Sequence, residues 1–313
     1  MRRAAPPQML RVDPTDPGPW ALVAGGARGL GLTSTPAPDG PTADAHVVLR
    51  PVRGMPFATH EATIANEGAI ALTAAPGVAR TLRMPDMATL FDRRPPGVSR
   101  AVGASGANAG LLLDDSGWRA VVLPSMGDLV ADLGAGPVAV RADGRRVAVS
   151  RDGGVVEMDL PGGDATPTRA EPATALAYTH DGALLIAVGD AIGPVTTGSP
   201  ITSLSTAHAA PVAVSAHQDG QIRVWDTTAG AVTATWAAPP GLRRAAVSAD
   251  GTLVSLGYVD GDTPVAAIAQ ASDGAFIRRI IGAHVIAFDP ADRGLLVGGE
   301  WGALWMEPPR EAS

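Results

Sequence analysis

The chain has 313 residues, 46% of them apolar, and a net charge of −7, so it can bury a sizeable core and lacks the basic excess that a phosphate-backbone partner requires. All 24 basic residues are arginine and there is no cysteine. That composition excludes Schiff-base and P-loop lysines, disulfides, thiolate metal sites and cysteine nucleophiles.

The N-terminus, MRRAAPPQML (1–10), carries Arg2 and Arg3 but no apolar stretch after them, so it does not read as a secretory signal. No apolar run in the chain approaches the roughly 18 residues of a membrane span. The expectation is a soluble, cytoplasmic protein with no membrane or nucleic-acid partner. MLRV (9–12) is a short alternating segment. VAGGARGLGL (23–32) places Gly25, Gly29 and Gly31 in the spacing of a short-chain dehydrogenase dinucleotide loop. The residues that follow hold Pro36, Pro38, Asp39-Gly40 and Pro41, which cannot make the required helix, so a hairpin is expected and no cofactor.

From residue 63 onward a strand–turn–strand unit recurs: TIANEGAIAL (63–72), VGASGANAGLLL (102–113), VRADGRRVAV (140–149), YTHDGALLIAV (178–188), VSADGTLVSL (247–256) and AFDPADRGLLV (287–297). The first four turns, at Gly68, Gly106, Gly144 and Gly182, are spaced 38 residues apart. A turn near His208 and turns at Gly251 and Arg293 continue the series. Second turns follow at Pro76-Gly77, Ser116-Gly117, Asp152-Gly153, Asp219-Gly220, Asp260-Gly261 and Trp301-Gly302, each leading into a further strand such as VVEMDL (155–160), QIRVWD (221–226) or ALWMEP (303–308). Alternation of period 2 with frequent turns and no sustained helical stripe makes the chain all-β. A period near 40 selects a β-propeller of four-stranded blades. With a first unit at 20–57 the count is eight blades; the irregular stretch 171–239 allows seven. The chain ends after a third strand, so an N-terminal strand must close the ring, and MLRV is the candidate. The organisation expected is an N-terminal segment (1–19), a propeller domain (20–308) and a short tail (309–313).

QDGQIRVWD (218–226) resembles the end of a WD-repeat, with Ser215 where that family keeps a Ser or Thr on the second strand. The resemblance implies a hydrogen-bonded set of Ser215, Asp219 and Trp225 completed by a histidine ahead of the first strand. Gly198-Ser199-Pro200 stands where that histidine belongs, so the set lacks its fourth member. Ser215, Asp219, Trp225 and Asp226 are read as structural. The neighbouring VWDTTAGAVTATW (224–236) is similar to a quinoprotein propeller repeat, but Ala229 replaces its Thr and no other blade repeats it.

His46, His60, His180, His208, His217 and His284 are scattered without ligand spacing, and no metal site is expected. Trp118 and Trp301 stand at second turns, on the face that carries the blade-to-blade connections. That face also holds Arg93, Arg94, Arg243 and Arg244. Exposed Trp and Arg are the usual anchors of protein interfaces, and the opposing reading folds both indoles inward between blades. The function expected is a non-catalytic, WD-repeat-like platform for a protein partner. The alternative is a propeller enzyme or small-ligand binder using the mouth of the central channel, quinoprotein-like or hydrolase-like.

Overall fold

The computed structural model describes the backbone of residues 20–25, 29–34, 51–55, 58–300 and 302–306, and the side chains of 58–300 and 302–306. Among these residues every regular element is a strand, and seven four-stranded antiparallel sheets form the blades of a β-propeller. Blade 1 comprises Glu61–Ala65, Ile70–Ala75, Val78–Arg83 and Ala88–Arg93. Blade 2 comprises Arg100–Gly103, Ala109–Asp114, Gly117–Val122 and Gly127–Val130. Blade 3 comprises Val138–Val140, Arg146–Arg151, Gly154–Asp159 and Ala165–Arg169. Blade 4 comprises Ala175–Tyr178, Leu184–Val188, Ala191–Ile192 and Val195–Thr196. Blade 5 comprises Ile201–Thr206, Val212–His217, Gln221–Asp226 and Ala231–Ala237. Blade 6 comprises Leu242–Val247, Leu253–Asp260, Thr263–Gln270 and Phe276–Ile281. Blade 7 takes Ala283–Phe288, Leu295–Gly299 and Gly302–Met306 from the C-terminal part and Pro51–Met55 from the N-terminal part.

The first strand of each blade touches the neighbouring blades near the axis, and blade 7 meets blade 1, so the ring is closed. Strands inside a blade are sandwiched on both faces, which removes the polar half of the alternation. Ile70–Ala75 is buried at every position, whereas the outer strand Ala165–Arg169 is mostly exposed. Among the described residues seven core clusters result, each shared by two adjacent blades. In one, Val285, Leu296 and Trp305 of blade 7 pack on Ala62, Ile64 and Leu82 of blade 1. Blades therefore stabilise one another in series, as repeats do.

The ring has seven blades, one of the two counts that the sequence allows, because Trp20–Gly25 and Gly29–Ser34 form their own two-stranded sheet, the hairpin expected of VAGGARGLGL. An N-terminal strand closes the ring, as expected, but the segment expected to do so is corrected. The closing strand is Pro51–Met55, paired with Gly302–Met306, and MLRV lies outside the described residues. The reason is local: Pro51–Met55 runs almost directly into blade 1, so closure needs no long connection.

The two faces of the ring differ. The turn face, which carries the first turns, is laced across blade boundaries. Glu67 N–H donates to the Ser105 carbonyl at 2.5 Å, Gly106 N–H to Ala142 at 2.9 Å and Ala209 N–H to Ala249 at 2.8 Å. Arg293 of blade 7 pairs with buried Asp289 and donates to the Glu67 carbonyl of blade 1. The Ser105 hydroxyl meets His208 Nδ1 at 2.8 Å, joining blades 2 and 5 across the axis.

Candidate functional site

The connection face opens onto the channel through the residues that lead into the first strands. His60 N–H donates to Ala74, Ser99 N–H to Leu113 and Thr174 N–H to Ala187, the same bond in blades 1, 2 and 4. In blades 5, 6 and 7 a β-bulge leaves one extra residue at this point, respectively Thr202, Arg243 and His284. The side chain at this position is thus set by the fold to stand at the channel mouth. In the adjacent blades 7 and 1 it is histidine.

The two imidazoles stack with centroids 4.3 Å apart and planes inclined by 29°. Glu300, in the second turn of blade 7, brings Oε1 to 2.6 Å from His60 Nε2 and 3.2 Å from His284 Nε2. Glycines make this approach possible. Thr59 N–H docks on the Gly299 carbonyl at 2.8 Å, and a Cβ on Gly298 would lie 2.5 Å from the Thr59 methyl. A Cβ on Gly257 of blade 6 would lie 2.8 Å from the His284 carbonyl. Burial, reinforced by the neighbouring imidazole of His60, lowers the pKa of His284 below the ordinary histidine value. Next to the pair, Arg244 is bound to Glu61 across the mouth, while Arg243 is exposed.

Of the residues expected at an interface, Arg93 and Arg94 stand at the end of the outer strand of blade 1, Trp118 in blade 2, and Arg243 and Arg244 in blade 6. Trp118 is 3% exposed and sits in the core shared by blades 2 and 3, with Arg100 over its ring at 5.6 Å; this is the inward alternative, and the indole is not a rim anchor. Trp301 lies outside the described residues. Arg93 ends the outermost strand of blade 1 and is bound to Asp128 and the Met126 carbonyl of blade 2, where it holds the Asp128 carboxyl below the usual carboxylate range. Arg94 beside it is exposed, near Asp92. Arg243 and Arg244 lie instead on an innermost strand.

Blade 5 completes its hydrogen-bonded set by a route the sequence hides. Trp225 Nε1–H donates to Ser215 Oγ at 2.8 Å. Ser215 Oγ lies 2.7 Å from His217 Nε2, and His217 Nδ1 lies 3.0 Å from the Ser199 carbonyl. Only Nδ1–H can serve a carbonyl, so Nε2 accepts from the serine, and the neutral imidazole satisfies every partner. The histidine ahead of the first strand is thus replaced by one two residues beyond Ser215. Asp219 stays out of the chain at its carboxylate, which pairs with Arg223 at 2.9 Å, while its N–H bonds Ser199 Oγ at 2.9 Å. Asp226 accepts from Thr228 and Ala229 N–H and shapes the next turn. All four side chains make polar contacts inside blade 5.

Beside blade 5, the short outer strands of blade 4 leave a cavity of about 250 Å³, lined by Arg169, Leu185, Ile186, Val195, Trp225 and Thr227, among others. Leu184–Val188 pairs outward only through Ala187 and Val188. Among the described residues, Leu184, Leu185 and Ile186 have no strand on their outer side. No sequence signal of a binding type marks this edge; only the dense Gly and Pro of 189–200 announce it.

No protein-family model matches the chain, and no curated protein matches it significantly.

Proposed function

We propose that the chain is a WD-repeat-like, non-catalytic protein-interaction platform working in the cytoplasm, and that its partner lays an extended apolar segment along the outer edge of blade 4. One observation supports this reading. Leu184–Ile186 offers unpaired backbone groups beside an apolar cavity, the arrangement used when a peptide adds a strand to a sheet. Exposed edges of this kind are a liability that folded proteins normally cover. Arg94 and Arg243 are exposed at the outer rim and the channel mouth, and belong to the proposal as secondary contacts.

The test uses a fluorescent peptide of alternating valine and threonine and measures binding by anisotropy. Leu185→Asp places a charge in the groove and should weaken binding about tenfold or more, while Arg145→Ala, on the turn face, should not. Equal binding by Leu185→Asp and the unsubstituted protein overturns the reading.

A further inference from the structure

We propose that His60, His284 and Glu300 form a binding site for a divalent transition metal of the zinc type, at the open mouth of the channel. One ligand atom from each of the three residues lies within 4.8 Å of the other two. Tetrahedral zinc with bonds of about 2.0–2.1 Å places its ligand atoms roughly 3.3–3.4 Å apart. The 3.2 Å separation of His284 and Glu300 already meets that spacing, and the 2.6 Å approach of His60 to Glu300 has to open by less than an ångström. Glu300 is an exposed turn residue and can supply this shift.

An independent observation points the same way. His60 Nε2 is buried and makes no hydrogen bond of proper geometry, despite its closeness to the carboxylate. A buried ring nitrogen without a hydrogen bond is costly, and a metal ion at the centre of the three atoms would satisfy it together with its neighbours.

The donor set narrows the class of ion to divalent transition metals, iron(II) included. Two imidazole nitrogens and one carboxylate oxygen suit zinc, cobalt or nickel; calcium and magnesium prefer sites made of oxygen alone. Three protein ligands leave a coordination position for water or for a donor from a bound molecule. Of the nearby cations, Arg244 is neutralised by Glu61.

The experiment titrates the untagged, chelator-treated protein with Zn²⁺ by calorimetry and with Co²⁺ by visible absorption. A single site should appear, with a low-symmetry cobalt spectrum free of sulfur charge transfer, because the chain has no cysteine. His60→Ala and His284→Ala should each weaken Zn²⁺ binding about tenfold or more, while His180→Ala should not. Because a variant can misfold, the unsubstituted protein is also alkylated at histidine with and without Zn²⁺ and mapped by mass spectrometry. Selective protection of His60 and His284 supports the site. Protection confined to other histidines, or no binding at millimolar Zn²⁺, overturns it.

Discussion

Blades 4 and 5 are neighbours that share a core, yet they solve the packing of a blade differently. Blade 5 has long outer strands, and its middle is pinned by the Trp225–Ser215–His217–Ser199 chain. Blade 4 has third and fourth strands of two residues each and no comparable chain among the described residues. It is nevertheless held, because Ala175, Ala187 and Ile192 pack against Ile201, Ala213 and Trp225 of blade 5. The difference teaches that the inner half of a blade carries the ring, while the outer half can be given up where a neighbour supplies the surface. What is given up is an edge, and that edge is where a partner is proposed.

Trp225 tests this most severely. Trp225→Ala removes both the shared packing and the donor of the chain, and should cost about 3–5 kcal/mol in urea unfolding. A loss below about 1 kcal/mol would mean that blade 5 does not support blade 4. Ser215→Ala comes next. It strands the Trp225 N–H and the His217 Nε2 in a buried site, for an expected loss of about 1–3 kcal/mol. A fully neutral outcome would show that the chain of bonds contributes no stability.

Acidity probes the same chain. Burial lowers the pKa of His217, so its folded value lies below its unfolded value near 6.5. The stability tied to the neutral imidazole is therefore present above about pH 6.5 and is lost as pH falls through the depressed folded value. The melting temperature should drop over that window, and less steeply in His217→Asn. Identical slopes would remove His217 from the account. The smallest effect is expected in blade 4, where exposed Thr196→Ala should change stability by no more than about 0.5 kcal/mol. A larger loss would show that its two-residue strands carry more of the ring than the comparison allows.

The first turns are legible in the sequence because they need a backbone that glycine adopts freely. Gly68, Gly144, Gly182 and Gly251 all have positive φ, from +67° to +86°. The sequence marks 171–239 only as irregular; the structure gives the reason, since Gly189, Gly193 and Gly198 at positive φ, with Pro194 and Pro200, leave no room for longer strands in blade 4. The seam of the ring is not legible. Pairing of Pro51–Met55 with Gly302–Met306 joins opposite ends of the chain, and alternation cannot tell PVRGM from MLRV. His60 and His284 were separated in sequence for the same reason, and only ring closure makes them neighbours. Trp118 shows the converse limit: a position in a turn does not say which way its side chain points.

The Ser105–His208 contact also has a mechanical consequence. It strings blade 2 to blade 5 on the turn face, where neighbouring first turns are also tied together. The bond is a crossbar: it ties two blades that are not neighbours in the ring, in addition to the blade-by-blade packing that runs around the circumference.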